Sequence, residues 1–397
     1  MYKYSPTDEE HIRIYGRTIK RDPLPLYWTA SGVEFDTDST EAYIDIECEY
    51  AAMEYYLRVE IDGALIQRFL IPCGRNIYCL FKGFPEGTVR TVTVRMETQP
   101  FFDDKDRRLL IHEVSADRIL QPVSPKSHRV EFIGDSLTSG EGLTGAQNIV
   151  DWFAGIYGLT GHYGLNVAKH FDAEYSIVSQ SGWGVYCGWD NNIHTTIPSI
   201  YDKICGTYND ADWDFASWQP ELIVVNLGTN DACAMGSPAW TDPETGTEWK
   251  LRSVDPGTVT GSDDRDPGSK MTGSDDRDSG NSSDQVSSGE NQAQPELDSE
   301  SKKRFEDAVY GFLGEIRRCN PGAYILWVYG MCGTVVEPYI KETIEKYKTE
   351  SGDARISYLS LPECQEEDFG SHFHPGPKNH GETAGLIIDF VEKHGIL

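Results

Sequence analysis

The stretch "VEFIGDSLTSGEG", Val130 to Gly142, decides how this chain is read. A short apolar run, Val130 to Ile133, ends in Gly134-Asp135-Ser136, and small residues follow. Such a run has the character of a strand buried on both faces. A serine in this position has two uses. It can start a helix, because its hydroxyl accepts from an orphan backbone N–H. It can also stand as a nucleophile just beyond a strand end. The choice turns on whether the rest of the chain supplies a base and an oxyanion site.

Three further blocks bear on that choice. "SQSGWGV", Ser179 to Val185, follows a weaker strand candidate, Tyr175 to Val178. "NLGTND", Asn226 to Asp231, closes the apolar run Leu222 to Leu227, and "SHFHPGPKNH", Ser371 to His380, lies near the C-terminus. Ester hydrolysis by serine needs a hydroxyl beside a base and donors aimed at the developing oxyanion. Ser136 offers the hydroxyl and its own N–H. Gly182, lacking a side chain, can bring a backbone N–H close. Asn230 offers an amide donor and His374 a base. Each also has a plain structural use: Gly182 as a turn residue, and Asn230 as a loop residue that satisfies its own backbone. Asp231 reads as a loop-shaping residue, and His372 and His380 as structural or exposed histidines.

The remaining runs set the frame. Ala323 to Tyr329 and Ile356 to Leu361 are further strand candidates. Phe305, Val309, Phe312, Leu313 and Ile316 share one helical face, and Thr383 to His394 reads as another helix. Strands alternating with helices imply a parallel sheet covered on both sides, with its chemistry beyond the carboxyl ends of the strands. Competing motifs fail. Thr138 stands where the Gly-x-Ser-x-Gly elbow needs its second glycine, and there is no phosphate loop and no His-Glu-x-x-His.

Upstream of Pro122 the period is two. Ile44, Ile46, Cys48 and Tyr50 alternate with acidic residues; Tyr55, Leu57, Val59 and Ile61 form a second alternating run, and Val92, Val94 and Met96 a third. Asp62-Gly63 between two runs is a hairpin signal. We expect an all-β sandwich or jelly roll over residues 1–122 and an α/β domain over 128–397. Val254 to Arg304 has no aromatic residue and repeats "TGSDDRD" at Thr260 and Thr272. It is expected to be a disordered acidic insertion, 254–304.

Of the 397 residues, 64 are acidic and 35 basic, for a formal charge of −29. This balance disfavours nucleic acid and anionic membranes as partners. No run has the length of a membrane span. The first residues lack the apolar core of a signal peptide, and the nine cysteines are scattered without Cys-x-x-Cys pairs. The expectation is therefore a cytoplasmic protein with reduced thiols. No ligand cluster marks a metal site, and no cofactor is expected.

Together the four blocks resemble the GDSL or SGNH hydrolases. "YGRT" at Tyr15, "YWTASGVEF" at Tyr27, "VEIDG" at Val59, "IPSIYDKI" at Ile197 and "WQPELIVVNLGTND" at Trp218 narrow the resemblance to carbohydrate esterase family two. It implies a three-layer, flavodoxin-like SGNH domain after an N-terminal β-sandwich, and removal of acetyl groups from sugars. It also implies Ser136 as nucleophile, Gly182 and Asn230 completing the oxyanion hole with the Ser136 N–H, and His374 as base. One position departs. The wider family carries Asp three residues before the histidine, where this chain has Ser371. Either a backbone carbonyl orients the imidazole, as in some family members, or Asp368, Glu367 or Glu366 substitutes. Trp152, Tyr157, Trp183, Tyr186 and Trp189 are candidates for stacking on a sugar, each also at home in a core. Two other functions stay open: an esterase or thioesterase on non-sugar acyl compounds, and a sugar-binding protein with a decayed site.

Overall fold

The computed structural model describes residues 1–254 and 295–397. The N-terminal part forms two five-stranded sheets. The first joins β1 (Tyr2–Tyr4), β3 (Leu24–Leu26), β5 (Glu41–Glu49), β8 (Gly74–Lys82) and β10 (Arg108–Ala116). The second runs β2 (Arg13–Tyr15), β4 (Gly32–Thr37), β9 (Arg90–Met96), β6 (Tyr55–Ile61) and β7 (Ala64–Ile71). Ile44, Ile46 and Cys48 of one sheet and Val33, Val59, Val92 and Val94 of the other share one core. The alternating residues thus point inward, as their period requires. Asp62 and Gly63, both at positive φ, close the β6–β7 hairpin.

The C-terminal part is built on a parallel sheet of β11 (His128–Gly134), β12 (Ala173–Ser179), β13 (Leu222–Asn226), β18 (Tyr324–Tyr329) and β19 (Ile356–Ser360), with two small pairings between β13 and β18 in the chain, β14–β15 (Trp240–Thr241 with Glu248–Trp249) and β16–β17 (Ser253–Val254 with Glu296–Leu297). Its order is β12-β11-β13-β18-β19. In such an order the chain leaves β11 and reverses direction across the sheet at β12 and β13, which opens a crevice at their carboxyl ends. Gly134 lies in register with Ser179 and with Asn226, so the three strands end level.

Both faces of this sheet are covered. Ile223, Val225, Ile325 and Trp327 pack against Phe305, Val309, Phe312 and Ile340 of α5 (Ser299–Cys319) and α6 (Glu337–Ser351). Val130, Phe132, Leu222 and Val224 pack against Tyr163, Val167, Ile387 and Val391 of α2 (Tyr163–His170) and α7 (Pro377–His394). Three short helical elements complete the frame: α1 (Ser136–Ser139), α3 (Pro198–Tyr201) and α4 (Thr229–Gly236). Among the described residues no helix is long and apolar enough to cross a membrane.

The two parts are joined by buried polar contacts. Arg17 pairs with Glu131 at 2.9 Å, Trp28 Nε1 donates to the Ile204 carbonyl at 2.7 Å, and Tyr175 Oη donates to the Ala30 carbonyl at 2.9 Å. The described fold reaches into both ends of the expected insertion. Val254 pairs with Glu296, Leu297 is buried, and Asp298 caps α5 by accepting from the Ser301 N–H. Residues 295–304 are therefore part of the fold, since one buried leucine and a capping aspartate suffice to start the helix. The rest of the expected insertion, 255–294, lies outside the described residues.

Candidate active site

The opening ambiguity over Ser136 has a geometric answer. Asp135, not Ser136, caps α1: its carboxylate accepts from the Leu137 N–H at 3.1 Å. Ser136 is the first residue of the helix and its hydroxyl is left for another partner. That partner is His374, whose Nε2 lies 2.8 Å from Ser136 Oγ. Gly140 ends α1 in the left-handed region, and a side chain there would strike the Gly158 carbonyl.

The histidine is set by an unusual turn. His372 and Phe373 have φ of 53° and 56°, consecutive non-glycine residues in the left-handed region. Each such residue costs on the order of 1–3 kcal/mol and persists only where its surroundings impose it. Here the turn brings the His372 carbonyl to 2.6 Å from His374 Nδ1. The tautomer that donates at Nδ1 leaves Nε2 free to accept from Ser136. Ser371 points away and donates to the Thr144 carbonyl at 2.7 Å.

None of the three expected acids meets His374. Asp368 is held by Lys378, with Nζ to Oδ2 at 2.7 Å, while Glu366 and Glu367 lie exposed on a short 3₁₀ turn. Nearness in sequence misled, because that turn faces solvent and the first turn of α7. The carboxylate that faces the histidines is Glu141, absent from the sequence reading. It is 2% exposed. One of its oxygens is 2.6 Å from His372 Nδ1 and 3.8 Å from His374 Nδ1; the other accepts from Ser181 Oγ at 2.6 Å and Tyr157 Oη at 2.8 Å. Burial pushes the Glu141 pKa up, but the nearby His374 charge and the bonds from His372, Ser181 and Tyr157 outweigh it and hold it at about 2. His372 is raised in turn, chiefly by its bond to Glu141.

Gly182 and Asn230 sit beyond β12 and β13, on the same edge as Ser136. Gly182 has φ of +80°, and a Cβ there would stand 3.1 Å from Trp189 Cδ1. Neither its N–H nor that of Ser136 is spent on a turn or loop backbone bond among the described residues. Asn230 Nδ2 donates to the Trp183 carbonyl at 3.0 Å and to Asp135 Oδ2 at 3.2 Å. Burial raises Asp135 to about 7, with Asp231 and Glu141 adding to the effect. Asp231 does shape a loop, though one beyond its own: it accepts from the N–H groups of Val185, Tyr186 and Cys187 at 2.8–3.1 Å. That fixes the segment following Gly182.

The aromatics divide. Tyr157 is fully buried and bonded to Glu141, so it is no stacking surface; Trp152 donates to its hydroxyl at 3.1 Å. Trp183 is buried and Tyr186 packs on the same core. Trp189, 56% exposed beside Gly182, is the one of the five that offers an open ring face. Phe373, 70% exposed next to His374, was missed because a lone Phe between two histidines carries no pattern. His380 is fully buried and its Nδ1 accepts from the Tyr163 N–H at 3.3 Å.

A Gly-Asp-Ser after β11, a glycine after β12, an asparagine after β13 and a histidine before α7, all at one edge of this sheet, define the GDSL/SGNH hydrolase fold. The chain belongs to carbohydrate esterase family two. It is 34% identical to the acetyl xylan esterase Est2A of the rumen bacterium Butyrivibrio proteoclasticus, with TM-score 0.87 and all of both chains covered. A family two carbohydrate esterase of Clostridium thermocellum, solved with cellohexaose, superimposes with TM-score 0.73 at 20% identity, covering 97% of this chain and 100% of that one. The acetylxylan esterase / glucomannan deacetylase of Cellvibrio japonicus is 24% identical over 229 residues, 56% of this chain and 62% of the relative. The chain spans between 27% and 62% of the length of the curated relatives it matches. No family model matches it.

Proposed function

We propose that the protein is a carbohydrate O-acetyl esterase that works through an acetyl-serine intermediate. The observation that carries this reading is the 2.8 Å approach of His374 Nε2 to Ser136 Oγ at the sheet edge that also bears Gly182 and Asn230. Ser136 Oγ attacks the acetyl carbonyl carbon while His374 Nε2 takes its proton. The oxyanion is met by the N–H groups of Ser136 and Gly182 and by Asn230 Nδ2, which turns from its present acceptors. His374 returns the proton to the departing sugar oxygen. A water then repeats the sequence in reverse and releases acetate. The His372 carbonyl holds the imidazole throughout.

The likeness to acetyl xylan esterases supports acetylated sugars as the substrate class. Trp189, beside Gly182, and Phe373, next to His374 in the chain, are exposed and offer ring faces to a pyranose. Alternation of β4, β5, β6, β8, β9 and β10 between the two N-terminal sheets supports a jelly-roll-like module. Nine cysteines, all free, support a reducing compartment such as the cytoplasm.

The test is product analysis on singly acetylated hexosides and xylosides beside longer acyl esters. Acetate release from the sugars, lost on the order of a million-fold in Ser136→Ala and His374→Ala, is expected. Preference for longer or non-sugar acyl groups would move the substrate class. A folded Ser136→Ala protein retaining more than a few per cent of the activity would reject the mechanism.

A further inference from the structure

The geometry points to Glu141 as the positioning carboxylate of this site, supplying from the nucleophile loop the charge that Ser371 cannot. The inference rests on the Ser136–His374 reading above. The usual place for the acid is three residues before the histidine, and here its occupant is engaged elsewhere, on the Thr144 carbonyl. A backbone carbonyl remains at His374 Nδ1, 2.6 Å away. A carbonyl is a dipole and orients the ring well. It stabilises an imidazolium less than a full charge does in a buried setting.

Glu141 has the features of a built device. It lies between Gly140 and Gly142, whose φ of +76° and +85° fold the chain back beneath the histidine loop. A side chain on Gly142 would come 2.5 Å from His374 Cβ, so the close approach requires glycine. The carboxylate uses one oxygen on His372 and keeps it 3.8 Å from His374 Nδ1. Ser181 and Tyr157 hold the other oxygen. Leaving an ionised carboxylate buried without a task is costly, and here the partners are the base and the residue whose carbonyl orients it.

Two consequences follow. When His374 takes the Ser136 proton at Nε2, the positive charge forms within reach of Glu141 and is stabilised there. The bond to His372 also holds the left-handed turn that presents the carbonyl. Other ionisable groups around the pair are accounted for. Asp151 acts on His372 from the exposed side, and His162 and His380 are buried, with their pKa values pushed down chiefly by burial. Asp368 is taken by Lys378. Glu141, His372 and His374 also form the one grouping of metal-ligating types within 4.8 Å of one another among the described residues. Their hydrogen bonds already account for that closeness.

The experiment compares E141Q, E141D and Y157F with wild type in acetyl ester hydrolysis, alongside thermal unfolding. E141Q keeps the shape and loses the charge. Its kcat is expected to fall about 10²- to 10⁴-fold with KM within threefold, the upper figure matching a protease triad stripped of its aspartate charge. E141D, which keeps the charge on a shorter arm, should recover at least tenfold of that loss. Y157F, the milder change should E141Q not fold, is expected to lower kcat about three- to tenfold with KM unchanged. Asp368→Asn should behave as wild type. Folded E141Q or Y157F with wild-type kcat would overturn the inference. So would a loss confined to KM, a comparable loss in Asp368→Asn, or inactivation of wild type by a chelator, which would make Glu141 a metal ligand. In each of these cases Ser136→Ala still reports separately on the esterase reading.

Discussion

Gln99 belongs to the N-terminal part, yet Gln99→Ala is expected to weaken catalysis in the other. Its side chain is fully buried. Oε1 accepts from the Ser181 N–H at 2.8 Å, and Nε2 donates to Tyr157 Oη at 3.1 Å. Truncation leaves the buried Ser181 N–H without its acceptor and removes one of the two donors to Tyr157 Oη, which keeps the bond from Trp152. An orphaned buried N–H costs about 1–3 kcal/mol, the lost bond to Tyr157 adds about 1, and water entering the vacated space returns part of it, so the net loss of stability should be about 2 kcal/mol. The catalytic effect arises from position. Ser181 directly precedes Gly182 and also holds Glu141 through its hydroxyl, at 2.6 Å. A displacement of about 1 Å near reacting groups costs on the order of 10²-fold, so kcat should fall about 10- to 100-fold well below the melting transition. Urea unfolding and initial rates on p-nitrophenyl acetate measure the two quantities on one preparation. A variant that loses stability but keeps wild-type kcat would show that the N-terminal part only packs against the site. No change in either would refute the reasoning about the buried amide.

Two further outcomes are expected. Asn230→Ala should lower kcat about 10²- to 10³-fold by removing one oxyanion donor. It should also lower stability measurably, since Asp135 and the Trp183 carbonyl lose the amide they now accept from. The second concerns acid. Glu141, held at about 2 in the fold against roughly 4.3 in an unfolded chain, contributes stability that is present above the unfolded value and lost as pH falls from about 5 toward 2. E141Q lacks this contribution. The wild-type advantage in unfolding free energy should therefore shrink by about 3 kcal/mol across that window, and a difference independent of pH would contradict the assignment.

Much of the frame was legible because its signals are local. The five parallel strands announce themselves as short apolar runs, and β5, β6 and β9 by alternation that needs only nearest neighbours to read. The helix over Phe305, Val309, Phe312, Leu313 and Ile316 is found as α5, and Thr383 to His394 is the latter part of α7. The helices α2 and α6 went unread, since polar and aromatic residues interrupt their apolar faces. At the site, Ser136, Gly182, Asn230 and His374 stand at strand ends and before a helix, places that the order of elements alone brings to one edge.

What sequence alone determined, then, is which residue types stand at the ends of which strands. Tertiary structure decided which of them touch. Glu141 is 231 residues from His372 and meets it only because two glycines turn the nucleophile loop back while the C-terminal loop crosses above it. Asp368, six residues from His374, is turned outward to Lys378. Tyr157 resembled a stacking ring and serves as a buried hydrogen-bond donor, and Gln99 arrives from the segment that follows β9 in the N-terminal part. A covalent neighbour shares the backbone's direction but not its side chain's destination. In a packed interior, a charge is answered by whichever partner the close-packed chain can bring within about 3 Å, from any distance along the sequence.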